Sequence, residues 1–141
     1  MSLPIVNINL LAVLVAGIAS MVVGALWYSQ LLFGKIWMQL MGFNEKKLAE
    51  AKKKGMAKSY IITFISSLLT AYILAHFVKY VQAATIADSL VLAFWIWLGF
   101  FATTMLGSIL WEGKPLKLYV INILHYLVSL SVMSIILTVL V

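Results

Sequence analysis

Four unbroken apolar runs dominate the chain: Ile8–Tyr28, Ser59–Tyr80, Ile86–Leu110 and Leu118–Leu140. A hydrocarbon layer of roughly 30 Å is crossed by about 20 helical residues at 1.5 Å rise, and each run supplies that length. The pattern changes between the first two runs. Phe33, Ile36, Trp37, Leu40 and Met41 share one helical face with Lys35 and Gln39 opposite, which predicts a short amphipathic helix lying in the interface. Gly42 should end it. Asn44 then predicts the cap of a second, polar helix, with Glu45 in its first turn, Lys52, Lys53 and Lys54 in its last and Gly55 just beyond. The second gap, near Val81–Thr85, is short and almost uncharged, while Trp111-Glu112-Gly113-Lys114-Pro115 predicts a tight third turn with Pro115 opening the last helix. The expected fold is all-α: one domain over residues 1–141, an integral membrane four-helix bundle with a helical first loop spanning residues 33–56.

Composition agrees with lipid as the solvent, because 65% hydrophobic and 10% charged residues would force a soluble domain of this size to expose large apolar patches. The net charge of +6 comes from lysine alone. Arginine, the usual reader of bases and phosphates, is missing, so nucleic acid is not an expected partner. Lys35, Lys46, Lys47, Lys52, Lys53, Lys54 and Lys58 flank the first gap, Lys114 and Lys117 the third, and Lys79 alone the second. The excess of positive charge in cytoplasmic loops then predicts a plasma (cell inner) membrane protein with loops one and three in the cytoplasm and both termini outside. Cysteine is absent, which removes disulfides, thiolate metal sites and cysteine nucleophiles. Met1–Leu10 carries no charge and leads into a run of full spanning length, so the first run reads as a retained span and not a cleaved signal.

Small residues recur at helical spacing in three runs: Ala12, Ala16, Ser20 and Gly24; Ser67, Ala71 and Ala75; Gly99, Thr103 and Gly107. Lipid offers helices no hydrophobic reason to associate, so close backbone approach at such faces is expected to hold the bundle together and to support a homo-oligomer.

Polar residues at depth are the informative ones, since each costs free energy in hydrocarbon unless it finds a partner. Asn122, His125, Tyr126 and Ser129 share one arc of the last helix, and counting along each span places Ser20, Ser66, Ser67 and Thr103 near the level of His125. Two readings stand side by side. His125 is a neutral core histidine satisfied by interhelical hydroxyls, or it titrates and meets a small solute. A metal or haem site would need a second histidine at that depth, and His76 sits near the other edge; no cofactor is expected. His76 could pair with Asp88 across the second gap, or Asp88 could cap the third helix. Ser59, Tyr60, Thr63, Ser66, Ser67 and Thr70 form the most polar face of the second span, where hydroxyls usually bond their own backbone. Paired intramembrane carboxylates, a metal-binding histidine doublet, a nucleotide loop and a nucleophile elbow are all missing, so no enzymatic activity is expected.

Gly24-Ala25-Leu26-Trp27-Tyr28-Ser29, Leu32-Phe33-Gly34-Lys35 with Trp37-Met38, Gly55-Met56-Ala57-Lys58, Gly99-Phe100 with Thr103-Thr104, and Glu112-Gly113 before Leu116-Lys117-Leu118 and Asn122 carry a resemblance to the family known as domain of unknown function 1761. The resemblance covers nearly the whole chain. It implies a small, four-helix, mostly bacterial membrane protein in which Trp27, Tyr28, Ser29, Gly34 and Asn122 belong to the family pattern, and it brings no activity or substrate. The expected role is a non-enzymatic membrane component that self-associates and engages anionic lipids or partners through Lys46, Lys47, Lys52, Lys53 and Lys54. The alternatives are an oligomeric transporter or channel with a path near His125 and, more weakly, a membrane enzyme or cofactor binder.

Overall fold

A computed structural model describes residues 3–140. Four helices are long and apolar enough to cross a membrane. The first is α1 (Leu10–Trp27), opened by Asn9, whose side-chain oxygen accepts the Leu11 and Ala12 amides. Two short helices follow, α2 (Gly34–Leu40) and α3 (Glu45–Lys54), and then the second span, α4 (Ala57–Tyr80). The third span, Ile86–Leu110, is segmented into α5 (Ile86–Ile96), a π-helical stretch (Trp97–Ala102), a 3-10 turn (Thr104–Leu106) and α6 (Gly107–Leu110). The fourth span is α7 (Leu116–Val139).

Local chemistry accounts for most of the boundaries. Gly42 ends α2 with positive φ, Asn44 accepts the Lys47 amide at the start of α3, and Gly55, also at positive φ, ends it. The break in the third span has a hydrogen-bond cause. The Leu106 amide bonds the Thr103 carbonyl, which leaves the Ala102 carbonyl without its helical donor, and the Tyr119 hydroxyl on α7 donates to it instead. Nothing in the apolar run itself marks this change of winding.

α7 is the centre of the bundle, packing on α1, α4 and α5, while α1 also packs on α4. Substantial packing between α4 and the third span is missing among the described residues. The result is a triangle of α1, α4 and α7 with the third span applied to the far side of α7. The core lies at the end of the bundle that carries both termini. There Ala12 and Ala16 of α1 meet Ala71, Leu74, Ala75 and Val78 of α4, Ala93 of α5, and Leu130, Met133 and Leu137 of α7. Two of the three small-residue faces serve this close approach. Two hydrogen bonds reinforce the same end: Asn9 Nδ2 donates to the Leu140 carbonyl at 3.1 Å, and the Ser134 hydroxyl, fully buried, donates to the Ser89 carbonyl at 3.0 Å.

The third small-residue face packs little within the described chain, only Gly107 being half-buried beside Trp111. Gly99 and Thr103 are exposed, and a Cβ placed on Gly99 would meet nothing within 4 Å. Trp97, Phe101 and Ala102 are the residues of this stretch turned toward α7, with the Trp97 indole donating to the Ile123 carbonyl at 2.6 Å. Thr103 follows them at about 100° around the helix and so points away.

A candidate binding cleft at the lysine-rich end

Toward the lysine-rich end α4 parts from its neighbours. At Gly17 the two helices touch, since a Cβ there would lie 2.7 Å from Leu68 Cδ2; further along, residues 57–63 of α4 are exposed on every side. Between the diverging helices lies a cleft of about 1080 Å³, walled by α1, α4 and α7 with Phe101 of the third span at its edge. Ser59, Tyr60, Thr63, Ser66, Ser67 and Thr70, the polar face read from the sequence, all line it. The two threonine hydroxyls are spent on their own helix, Thr63 donating to the Ser59 carbonyl and Thr70 to the Ser66 carbonyl, while Ser67 donates across to Met21 Sδ of α1 at 3.7 Å. The threonines therefore offer the cleft methyl more than hydroxyl. Among the described residues, the lining contains no lysine, aspartate or glutamate.

The cleft closes against α7, where Tyr126, Ser129 and His125 form the floor with Ser20, Gly24 and Tyr28 of α1. Ser20 and Ser129 hydroxyls pair at 2.9 Å. The His125 ring sits among Trp27, Tyr28 and Tyr126, with centroid separations of 6.4, 5.2 and 5.0 Å, and its Nε2 faces Gly24, whose missing Cβ would lie 3.5 Å away. Both ring nitrogens are buried without a hydrogen-bond partner among the described residues. None of the hydroxyls predicted to satisfy them reaches the ring: Ser20 pairs with Ser129, Thr103 bonds its own backbone and Ser67 donates to Met21 Sδ.

Ser20, Ser66, Ser67, His125, Tyr126 and Ser129 are therefore gathered around one space, and Thr103 and Asn122 are not. The Thr103 hydroxyl turns back to the Gly99 carbonyl at 2.7 Å. Asn122 belongs to a separate knot that joins α1, α2 and α7: its Oδ1 accepts the Tyr28 hydroxyl at 2.8 Å, and the Trp27 indole donates to the neighbouring Ile121 carbonyl at 3.0 Å. Gly34 presses against the backbone of Tyr28 and Ser29, and Trp37 lies edge-on to Tyr28 at 5.5 Å. Sequence reading missed the role of these indoles, because a tryptophan near a span end is ordinarily an interfacial anchor.

At the other end of the bundle, His76 and Asp88 each have other partners. His76 Nδ1 lies 2.9 Å from the Tyr72 carbonyl, and the Asp88 carboxylate accepts the Ala84 and Thr85 amides while Thr85 Oγ1 accepts the Asp88 amide. That reciprocal arrangement opens α5, with Thr85 as the cap. Lys46, Lys47, Lys52, Lys53 and Lys54 are all exposed on α3.

The fold and the cleft together describe a small multi-pass membrane protein with an open cleft among three of its four spans. The chain belongs to the family described as protein of unknown function (DUF1761), whose sequence pattern matches residues 11–138. No curated protein and no solved structure matches the chain.

Proposed function

We propose that this protein is a non-enzymatic, membrane-embedded binding component that admits a lipid-soluble guest sideways into the cleft between α1, α4 and α7. One observation carries the reading: a space of about 1080 Å³ without a charged side chain in its wall, lying within helices of spanning length. Ligand sites commonly enclose about 300–1,000 Å³ with mostly apolar walls and a few placed polar groups, and Ser59, Tyr60 and Ser66, exposed along the α4 wall, supply such groups. The wall's chemistry supports binding over reaction, because it offers one imidazole and hydroxyls but no carboxylate to work with it. The lysine-rich end faces the cytoplasm of a cell membrane in this reading.

The test uses an uncharged single-chain probe, monoolein, added to the protein in neutral detergent and followed by native mass spectrometry. Saturable one-to-one binding that is lost in Thr63→Trp and Ser66→Trp, both at exposed wall positions, supports the reading; binding unchanged in both variants rejects it.

Transport is a second reading, favoured by the unpartnered His125 nitrogens at the cleft floor. It requires proteoliposome flux that disappears in His125→Ala. Self-association belongs to the same proposal, through the outward face of Gly99 and Thr103. A cysteine placed at Thr103 in this cysteine-free chain then cross-links two copies on oxidation, and a purely monomeric product argues against it.

A further inference from the structure

Building on the proposed binding role of the cleft, we infer that its guest is an anionic phospholipid, taken with hydrocarbon inside the cleft and its head group among the lysines at the mouth. At the lysine-rich end the lining reaches Met56, Ser59 and Tyr60, all exposed at the start of α4, which places the mouth there. The chain immediately around it carries Lys52, Lys53, Lys54 and Lys58, all exposed, and Gly55 at positive φ turns the lysine-bearing end of α3 into α4. At this end of the bundle nine lysines, Lys35, Lys46, Lys47, Lys52, Lys53, Lys54, Lys58, Lys114 and Lys117, outnumber three acids, Glu45, Glu50 and Glu112, and Asp88 lies at the opposite end. The field at the mouth is therefore positive, and it is strongest where hydrocarbon gives way to water.

Deeper in, the character reverses. The wall has no charge, its threonine hydroxyls bond their own helix, and Met21, Phe64, Leu130 and Met133 add flexible or flat apolar surface. A small soluble anion would find its counter-charges at the mouth and nothing to hold it further in. An uncharged amphiphile would fill the wall and leave the lysines unused. Only a molecule with a negative head and a long apolar body matches both zones along one axis. Tyr60, more than half exposed at the mouth, suits the boundary, with its ring against hydrocarbon and its hydroxyl toward water.

The test compares phosphatidylglycerol with phosphatidylcholine bearing identical chains, titrated into the full chain in neutral detergent, with bound lipid counted by native mass spectrometry. The wild type prefers phosphatidylglycerol. The Lys52→Gln, Lys53→Gln, Lys54→Gln, Lys58→Gln variant falls to the phosphatidylcholine level, each lost lysine weakening the anionic lipid by about fivefold at low salt. Thr63→Trp and Ser66→Trp lose both lipids while circular dichroism shows the helix content retained.

Equal binding of the two lipids to the wild type, or a preference for phosphatidylglycerol that survives the glutamine variant, overturns the head-group inference and leaves the cleft reading standing. Binding of phosphatidylglycerol that ignores both tryptophan variants while depending on the lysines means adsorption to the α3 surface, and overturns both. Displacement of the lipid by excess glycerol 3-phosphate overturns the inference too, because the head group alone would then suffice.

Discussion

Replacing His125 with phenylalanine should make this protein more stable. The imidazole is enclosed by Trp27, Tyr28 and Tyr126 and faces Gly24, and neither nitrogen has a hydrogen-bond partner among the described residues. Each unpaired buried polar group costs about 1–3 kcal/mol, so the two nitrogens together store about 2–6 kcal/mol that an apolar ring of similar shape would release. The phenyl ring is slightly larger, and forcing extra volume into a packed site costs about 1–3 kcal/mol. Set against each other, these ranges run from a loss of about 1 to a gain of about 5 kcal/mol, and the expected gain is about 1–2 kcal/mol, below the midpoint because membrane helices pulled apart in a micelle find other polar partners. The assay is loss of helicity during titration of the micelles with sodium dodecyl sulfate, comparing wild type, His125→Phe and His76→Phe. His76 bonds the Tyr72 carbonyl, so its replacement should be neutral or cost up to about 1 kcal/mol. If His125→Phe proves less stable than wild type by 1 kcal/mol or more, the imidazole is a hydrogen-bonded structural element, and the reasoning that sets it apart at the cleft floor fails.

Other perturbations follow from the same geometry. In Gly34→Ala the new methyl would press into the Tyr28 carbonyl and lie 2.7 Å from that of Ser29, so a loss of about 1–3 kcal/mol is expected in the same titration; an unchanged midpoint would mean that α2 is not docked this closely. Thr138, 4% exposed, has a buried hydroxyl without a partner among the described residues, and Thr138→Val should raise stability by about 1–2 kcal/mol, while any loss would reveal a hidden acceptor. Tyr119→Phe leaves the Ala102 carbonyl bare at the break in the third span. It should cost about 1 kcal/mol and speed amide hydrogen exchange over residues 103–106, and exchange unchanged there would detach Tyr119 from the break.

What the chain determines on its own is everything that depends on solvent and on local hydrogen bonding. Runs of about 20 apolar residues admit only helices in hydrocarbon, because every backbone amide must bond within its own segment. Asn9, Asn44, Gly42 and Gly55 mark helix ends through atoms within a few residues of themselves. The polar face of Ser59, Thr63, Ser66 and Thr70 was legible for the same reason, as was the shared arc of His125, Tyr126 and Ser129. Which face meets which partner is a different kind of fact. Ala12, Ala16, Ala71 and Ala75 are buried and Gly99 is not, although all sit in the same kind of stripe, because α7 occupies the centre and the third span packs mainly on α7 among the described residues. The same arrangement separates Asn122 from His125 three residues away, giving the first to Tyr28 and leaving the second without a partner. Depth along a helix is a property of one segment and can be counted; direction around it is settled only when the other helices have taken their places, and the cleft exists because α4 takes its place against its neighbours over only part of its length.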